Sequence, residues 1–303
     1  MVKALLDRSV EVVAYDMDPR LARLGMIAPA GLAARVRVET GRIEDTARVK
    51  SLVREGGITH IVHLAAVLMP FCQKAPVAGA MVNVIGTLNV FEAARDAGRP
   101  VRVVYASSAA VWGPEELYGG GALSESAPLH PATHYGVFKH SNEDNARVFF
   151  ETDRLSSVGL RPWTVYGVGR DAGLTAGPTL AMKALVLRRP FRIGLTGPMD
   201  LQYVEDVAAA FVECLLAPLE GAHVFNLAGD VIRVEDFVAA LERLRPAGAG
   251  LVTAEGPHVP VAYRMDDAAL RARVPGIPKT PLVDGMEKTL RLFEGLKADG
   301  RLV

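Results

Sequence analysis

The chain has 303 residues, half of them hydrophobic, and its 34 basic and 34 acidic residues cancel to a formal net charge of zero. That length allows one large domain, or a main domain with a smaller region beside it, around a sizeable core. The charge balance disfavours a surface that follows nucleic-acid phosphates. Two cysteines far apart in sequence favour a reducing, cytoplasmic setting with both thiols buried. The longest uncharged stretch, residues 57–73, contains two histidines and a proline, which predicts a buried strand and a loop and no membrane span.

Strand-like and helix-like segments alternate through the first half of the chain. Alternating or continuous apolar runs predict strands at 10–15, 35–39, 58–64, 101–106 and 157–161. Helical periodicity, often ended by glycine, predicts helices at 46–55, 80–97 and 133–153. This alternation predicts an α/β fold with a doubly wound parallel sheet.

Beyond residue 165 the alternation loosens, and glycine and proline punctuate residues 167–200. Helices are predicted at 204–216, 234–245 and 281–297, and a strand at 223–227. We therefore assign residues 1–165 to the sheet domain. Residues 166–303 are expected to form a smaller, mainly substrate-binding region with some segments returning to the sheet.

The strongest chemical signal is YGVFK, residues 135–139, on the helix predicted at 133–153. Spacing of i, i+4 places Tyr135 and Lys139 on one helix face, one turn apart. An ammonium beside a phenol favours the phenolate, so the tyrosine can exchange a proton with a substrate hydroxyl near neutral pH. Alone, the pair also fits a surface tyrosine and a solvated lysine.

Two serines, Ser107 and Ser108, follow the strand predicted at 101–106, at the sheet edge where open α/β proteins bind ligands. Either hydroxyl can donate a hydrogen bond to the oxygen that Tyr135 protonates. A strand-end serine that only satisfies backbone groups is the alternative. Serine, tyrosine and lysine in this order together indicate a proton-transfer site.

Five segments resemble motifs of the extended short-chain dehydrogenase/reductases, the NAD-dependent epimerase/dehydratase group. They are HLAA (63–66), NVIGT (83–87), SSAAVWG (107–113), LRPWTVYGVG (160–169) and YVEDV (203–207). The resemblance covers almost the whole chain and is specific for the family, but not for the substrate. It assigns the catalytic serine to Ser108.

The resemblance implies hydride transfer between NAD and a secondary alcohol carbon of a sugar or sugar-like substrate. Tyr135 would be the acid/base, Lys139 would lower its pKa and hold the nicotinamide ribose, and Ser108 would orient the substrate oxygen. The cofactor contacts it implies are Asp16, Ile43, Leu64, Ala65, Ala66, Asn83, Tyr135, Lys139 and Pro162. The substrate contacts it implies are Leu68, Ser108, Ala109, Thr164, Arg170 and Met199. Dehydrogenation and epimerisation both remain open.

Asp16 follows the strand predicted at 10–15, where a carboxylate can bond both adenosine ribose hydroxyls and repel a 2′-phosphate. That position favours NAD over NADP, although an aspartate that only forms the turn is the alternative. His63 and His134 have no acidic or cysteine partner at ligand spacing, so no metal site is expected.

The family's first strand and glycine-rich loop are not found in the sequence. That loop normally precedes the acidic residue by about 20 positions, which places it at or before Met1. We therefore expect a Rossmann sheet lacking its first strand, with a slot of unpaired backbone, in a chain that is a fragment or begins at a miscalled start. The alternative is a non-catalytic ligand-binding or scaffold protein that has lost tight cofactor binding.

Two positions argue against a nucleotide-sugar substrate. Thr164 and Met199 stand where nucleotide-sugar enzymes of the family carry a diphosphate-binding asparagine and arginine. These departures weaken the case for a UDP- or dTDP-sugar, and a smaller polyol, free sugar, sugar acid or other hydroxy compound becomes a further candidate substrate. Arg170 is placed to meet an anionic group, with a solvated surface arginine as the alternative. A homodimer is the family expectation, with no nucleic-acid or membrane partner.

Overall fold

The computed structural model describes residues 1–18, 21–29 and 31–302. The strands are β1 Val12–Asp16, β2 Val36–Thr40, β3 His60–His63, β4 Arg102–Ala106, β5 Ser157–Arg161, β6 Thr164–Tyr166, β7 Phe191–Ile193, β8 Pro198–Tyr203, β9 Ala222–Asn226, β10 Asp230–Arg233 and β11 Val252–Ala254. The helices are α1 Val2–Asp7, α2 Ala22–Ile27, α3 Thr46–Glu55, α4 Met69–Lys74, α5 Pro76–Ala80, α6 Gly86–Arg95, α7 His134–Asp153, α8 Gly177–Val186, α9 Val204–Leu216, α10 Val234–Leu244, α11 Ala268–Arg273 and α12 Leu282–Ala298.

The main sheet has four parallel strands in the order β3-β4-β5-β9. Its centre is β5, in which every residue is buried. Helices α3, α6 and α7 cover one face through a cluster that includes Val53, Phe91 and Tyr105. Helices α9 and α11 cover the other face with Phe211 and Leu270. This arrangement confirms the predicted α/β fold with a doubly wound parallel sheet.

Strands β1 and β2 form a separate parallel pair, and neither is hydrogen-bonded to the main sheet. Within the described ranges no strand joins the β1–β2 pair to β3 of the main sheet. Residues Val12 to Tyr15 are consequently only half-buried, in contrast to β5. Helix α1 connects the two sheets, because Leu5 packs into the core of the main sheet and Leu6 packs with Leu24 beside β2.

The helix predicted at 80–97 is interrupted. Helix α5 leads into a π-helical turn over Met81–Ile85, which continues into α6. The widened turn points Asn83 at the loop after β3, where its amide accepts a hydrogen bond from the Val67 nitrogen and donates one to the Val67 carbonyl, both at 3.0 Å. The whole segment Pro76–Arg95 is long and apolar enough to cross a membrane, but half of it is buried, as in a core helix of a globular protein.

Strands β6, β7, β8, β10 and β11 form a second layer with a core of its own. Strands β10-β8-β6 form a mixed sheet, and β11 pairs with β7. They share a core with α8, α10 and α12 that includes Met182, Phe237 and Phe293. Because β9 lies in the main sheet, the chain after residue 165 contributes to both layers.

Candidate active site

The two serines after β4 have different environments. Ser107 is buried and donates a hydrogen bond to the Glu143 carboxylate. Ser108 is partly exposed, and its hydroxyl accepts a hydrogen bond from the Ala110 nitrogen at 3.1 Å, which caps the short 3₁₀ turn that follows. Only Ser108 therefore offers its hydroxyl to the cleft at the carboxyl edge of the sheet.

The N-terminus of α7 is fixed closely against the Ser108 turn. The Thr133 hydroxyl caps the helix by accepting a hydrogen bond from the Gly136 nitrogen at 3.1 Å. A Cβ atom on Gly136 would lie 2.1 Å from the carbonyl oxygen of Ala110, so only glycine allows this approach. The close contact sets Tyr135, the residue before this glycine, beside Ser108.

Tyr135 and Lys139 do lie together on one face of α7. The Lys139 Nζ atom is 5.6 Å from the centroid of the Tyr135 ring and donates a hydrogen bond to the Ala106 carbonyl at 2.6 Å. Lys139 is 4% exposed, and this burial lowers its pKa to about 8. At neutral pH the ammonium is therefore still charged and is held at the end of β4.

The pKa of Tyr135 differs from the sequence expectation. Burial raises it to about 12, while a hydrogen bond with Ser108 and the positive charge of Arg170 act in the opposite direction. The lowering expected from Lys139 is not found, and desolvation of the phenolate is the largest effect. The tyrosine consequently holds its proton at neutral pH and is ready to act as an acid.

A buried ion pair behind the site was not found by sequence reasoning. Arg161 donates to both Glu143 carboxylate oxygens, at 2.8 and 2.7 Å, and its guanidinium lies 4.8 Å from the ring centroid of Trp112. Glu143 also accepts the Ser107 hydrogen bond, so the pair connects α7 to β4 and β5. Two sequence features could have revealed this pair. Glu143 follows Lys139 by four residues on the same helix, and Arg161 is a charged residue in a strand that is covered on both faces.

The predicted cofactor contacts are distributed along the carboxyl edges of β1 and β3. Asp16 is exposed at the end of β1, where its carboxylate accepts a hydrogen bond from the Asp18 nitrogen at 3.0 Å. Leu64 and Ala65 are exposed and Ala66 is half-buried after β3. Leu64 exposes 46% of its surface, an apolar area that a ligand on this edge would cover.

The other predicted cofactor contacts lie deeper. Asn83 is buried, and its side chain binds the Val67 loop. Ile43 packs against Gly86, where a Cβ atom would lie 2.6 Å from its Cγ2. The Pro162 carbonyl accepts a hydrogen bond from the Ala109 nitrogen at 2.9 Å. These residues shape the wall behind the exposed edge.

The predicted substrate contacts fall into two groups. Leu68 and Arg170 are half-buried and lie together near Gly173. Ala109, Thr164 and Met199 are at most 2% exposed, and the Thr164 hydroxyl has no hydrogen-bond partner. As placed, the second group presents almost no surface to a ligand, so its role in binding remains a prediction.

The described residues fit the two ends of NAD. The Asp16 carboxylate suits the adenosine ribose, the Leu64 and Ala65 surface suits an apolar ring, and the Lys139 ammonium suits the nicotinamide ribose. The G-x-x-G-x-x-G turn with which this fold binds the pyrophosphate is not found in the described part of the chain. No group of three or more metal-ligating side chains is found in the same ranges.

The chain is similar to proteins of one known family. The model of the NAD-dependent epimerase/dehydratase family matches residues 1–228. UDP-glucuronate 4-epimerase 3 of Arabidopsis thaliana is 26% identical over 318 residues, covering 95% of this chain and 70% of its own. UDP-glucose 4-epimerase of Mycolicibacterium smegmatis is 30% identical over 247 residues, covering 77% and 75%. The structure of Thermus thermophilus UDP-glucose 4-epimerase with NAD superposes with a TM-score of 0.82 at 26% identity, covering 97% and 94%.

Proposed function

Because this chain belongs to the NAD-dependent epimerase/dehydratase family, we propose that it transfers a hydride between NAD and a secondary alcohol carbon of a sugar or sugar-like substrate. The observation that carries the proposal is the convergence of Ser108, Tyr135 and Lys139 where β4 ends against α7. A non-catalytic scaffold has no use for this arrangement.

The mechanism follows from the protonation states of these groups. Tyr135 is a phenol at neutral pH, so in the reducing direction it protonates the developing alkoxide while Ser108 orients that oxygen. In the oxidising direction Tyr135 must accept the proton, and its hydrogen bond with Ser108 and the positive charge of Arg170 favour the phenolate that is needed. General acid–base catalysis of this kind contributes about 10²- to 10⁴-fold.

NAD would supply the hydride acceptor and donor. In this proposal the Asp16 carboxylate holds the adenosine ribose hydroxyls and disfavours the 2′-phosphate of NADP. Lys139 holds the nicotinamide ribose, and the Ser108 turn places the substrate oxygen against Tyr135. The protein thus contributes binding, orientation and a proton path.

We further propose a homodimer in the cytoplasm. Four large apolar side chains on α5, the π turn and α7 are exposed, namely Val77, Met81, Val137 and Val148. Because α5 and the π turn pack against α7, these side chains can form one apolar face, and such a face is typical of a protein interface. Cys72 and Cys214 are free and buried, in keeping with a reducing compartment. Light scattering of the protein and of a Val137→Asp variant tests the dimer, which the variant should dissociate.

Tyr135→Phe is the decisive experiment. We expect it to lower turnover at least about 100-fold, because only the phenol hydroxyl is removed, with circular dichroism and thermal melting unchanged. Tyr263→Phe, in a half-buried tyrosine outside the site, serves as the control. NADH absorbance with a panel of sugars, sugar acids and UDP-sugars is the assay. Unchanged turnover by Tyr135→Phe would refute the proposal.

A further inference from the structure

Building on the proposed hydride transfer, we infer that Arg170 binds a carboxylate of the substrate. The substrate is then an acid that carries this carboxylate on the same molecule as the reacting carbinol, as an aldonic or uronic acid does. Four features of Arg170 support this inference: the loop that holds it, the absence of an ionic partner among the described residues, its electrostatic interaction with Tyr135, and its difference from the structural arginines of this chain.

The loop that follows β6 holds the Arg170 guanidinium in a defined position. The Arg170 nitrogen donates to the Gly167 carbonyl at 3.1 Å, and Gly167 and Gly173 on either side have φ angles of 129° and 96°. A Cβ atom on Gly173 would lie 3.4 and 3.5 Å from the two terminal guanidinium nitrogens and 2.6 Å from Cδ1 of Leu68. The loop therefore keeps the guanidinium against Leu68, the residue that follows the exposed edge of β3.

The guanidinium is largely unsatisfied. Its one hydrogen bond goes from Nη2 to the Thr175 hydroxyl, at 3.3 Å, and its buried Nε has no partner. The adjacent carboxylate, Asp171, is bound instead by Arg23 at 2.7 and 3.2 Å. Within the described ranges Arg170 makes no ion pair. An arginine has five donors, and leaving a half-buried charge unpaired is costly unless an anion binds there.

Two other arginines that are buried or half-buried show what a structural role looks like. Arg161 forms a two-pronged ion pair with Glu143. Arg99 donates to the backbone carbonyls of four residues, Val53, Arg54, Ile58 and Ala97. Arg170 has no comparable set of acceptors, so a purely structural role does not account for its position.

Arg170 also interacts electrostatically with the reacting centre. Its positive charge opposes the rise in the pKa of Tyr135, and burial lowers the pKa of Arg170 itself, an effect that Tyr135 and Asp171 oppose. An anion on Arg170 would therefore lie close to the carbinol that approaches Tyr135. A guanidinium matches the two oxygens of a carboxylate geometrically. Thr164 and Met199 are buried and present no phosphate-binding groups, so a carboxylate attached to the reacting molecule is favoured over a nucleotide diphosphate.

The experiment is equilibrium binding measured by calorimetry in the presence of NAD, so that it does not depend on turnover. The probes are matched acids and neutral analogues: D-glucuronate with D-glucose, and D-gluconate with D-glucitol. We expect at least one acid to bind about 10-fold or more tightly than its analogue. Arg170→Gln should remove this preference, measured as the ratio of acid to neutral-analogue affinity, and Arg170→Lys should retain part of it. Arg189→Gln, at an exposed position, should change nothing.

Three results would overturn the inference. The first is equal binding of acids and neutral analogues by the unmodified protein, which needs no variant and so is independent of folding defects. The second is an acid preference that survives in Arg170→Gln. The third is a loss of UDP-glucose binding in Arg170→Gln larger than the loss of D-glucuronate binding, which would assign Arg170 to phosphate. Loss of turnover in the Tyr135→Phe test bears only on the proposed hydride transfer, so the two failures are distinguishable.

Discussion

The Nζ atom of Lys139 lies 2.6 Å from the carbonyl oxygen of Ala106, the last residue of β4. This hydrogen bond joins the second turn of α7 to the end of a central strand. It fixes the Lys139 ammonium 5.6 Å from the centroid of the Tyr135 ring. The lysine is thus a structural contact as well as a proposed cofactor ligand.

Lys139→Met should change how stability depends on pH. The pKa of Lys139 is about 8 in the folded protein and near 10.5 when unfolded, so the unfolded chain holds more protons between these values. The cost of burying the charge, up to about 3 kcal/mol, is complete below pH 8 and disappears as pH rises towards 10.5. Between pH 7 and pH 10, the native protein should gain stability relative to the variant, as measured by urea unfolding. Lys74→Met, at an exposed position, is the control; a difference independent of pH would contradict the prediction.

His63 should make the protein sensitive to acid. Burial and the charge of Lys139 lower its pKa to about 3, from about 6.5 when unfolded, and its Nε2 lies 3.0 Å from the Thr87 hydroxyl. The contribution of neutral His63 to folding stability is complete above pH 6.5 and is lost as pH falls towards 3. At pH 4 this loss amounts to about 3 kcal/mol. His63→Gln should therefore lose less stability between pH 7 and 4 in chemical unfolding. His140→Gln on the surface of α7 should behave like the native protein, and an identical acid response in His63→Gln would refute this role.

Gly136→Ala should disturb the catalytic geometry. Its Cβ atom would meet the Ala110 carbonyl at 2.1 Å, so α7 must move away from the Ser108 turn. We expect a stability loss of about 1–3 kcal/mol, typical of overpacking, and a fall in turnover larger than the stability loss explains. Gly121→Ala is the matched control, because nothing lies within 4 Å of its added Cβ. Normal turnover in Gly136→Ala would show that the close contact is dispensable.

Glu143→Gln should destabilise the fold strongly. The buried Arg161 guanidinium would lose its ionic partner, and breaking a buried pair from one side costs about 3–5 kcal/mol. Glu151 lies on the same helix but pairs with Arg147 at an exposed position. Glu151→Gln is therefore expected to cost only about 0–1 kcal/mol of stability. Denaturant unfolding of both variants makes the comparison. Similar losses in the two would show that the buried pair contributes little.

Local sequence pattern was sufficient for the parts of the molecule that depend on periodicity. The helix at 46–55 and the strand at 157–161 were predicted with their observed bounds, and the i, i+4 spacing placed Tyr135 and Lys139 on one face. The short helices α2 and α4 were not predicted, because six residues carry too little periodicity to be recognised.

The electrostatics of the site depend on contacts between distant segments, which the sequence does not encode locally. The pKa of Tyr135 is decided by burial, by Ser108 and by Arg170, which lie 27 residues before and 35 residues after it. The Glu143–Arg161 pair joins a helix to a strand in the same way. The π turn at Met81–Ile85 likewise satisfies the helical pattern while changing where Asn83 points.

The separation of β1 and β2 from the main sheet has a consequence for how the protein opens. The two strands share a ladder only with each other, so they can unfold while β3, β4, β5 and β9 remain paired. Their amides should exchange with deuterium through this local opening, well before those of β5. Asp16 would then belong to the most labile part of the molecule, and a bound adenosine would slow exchange there first.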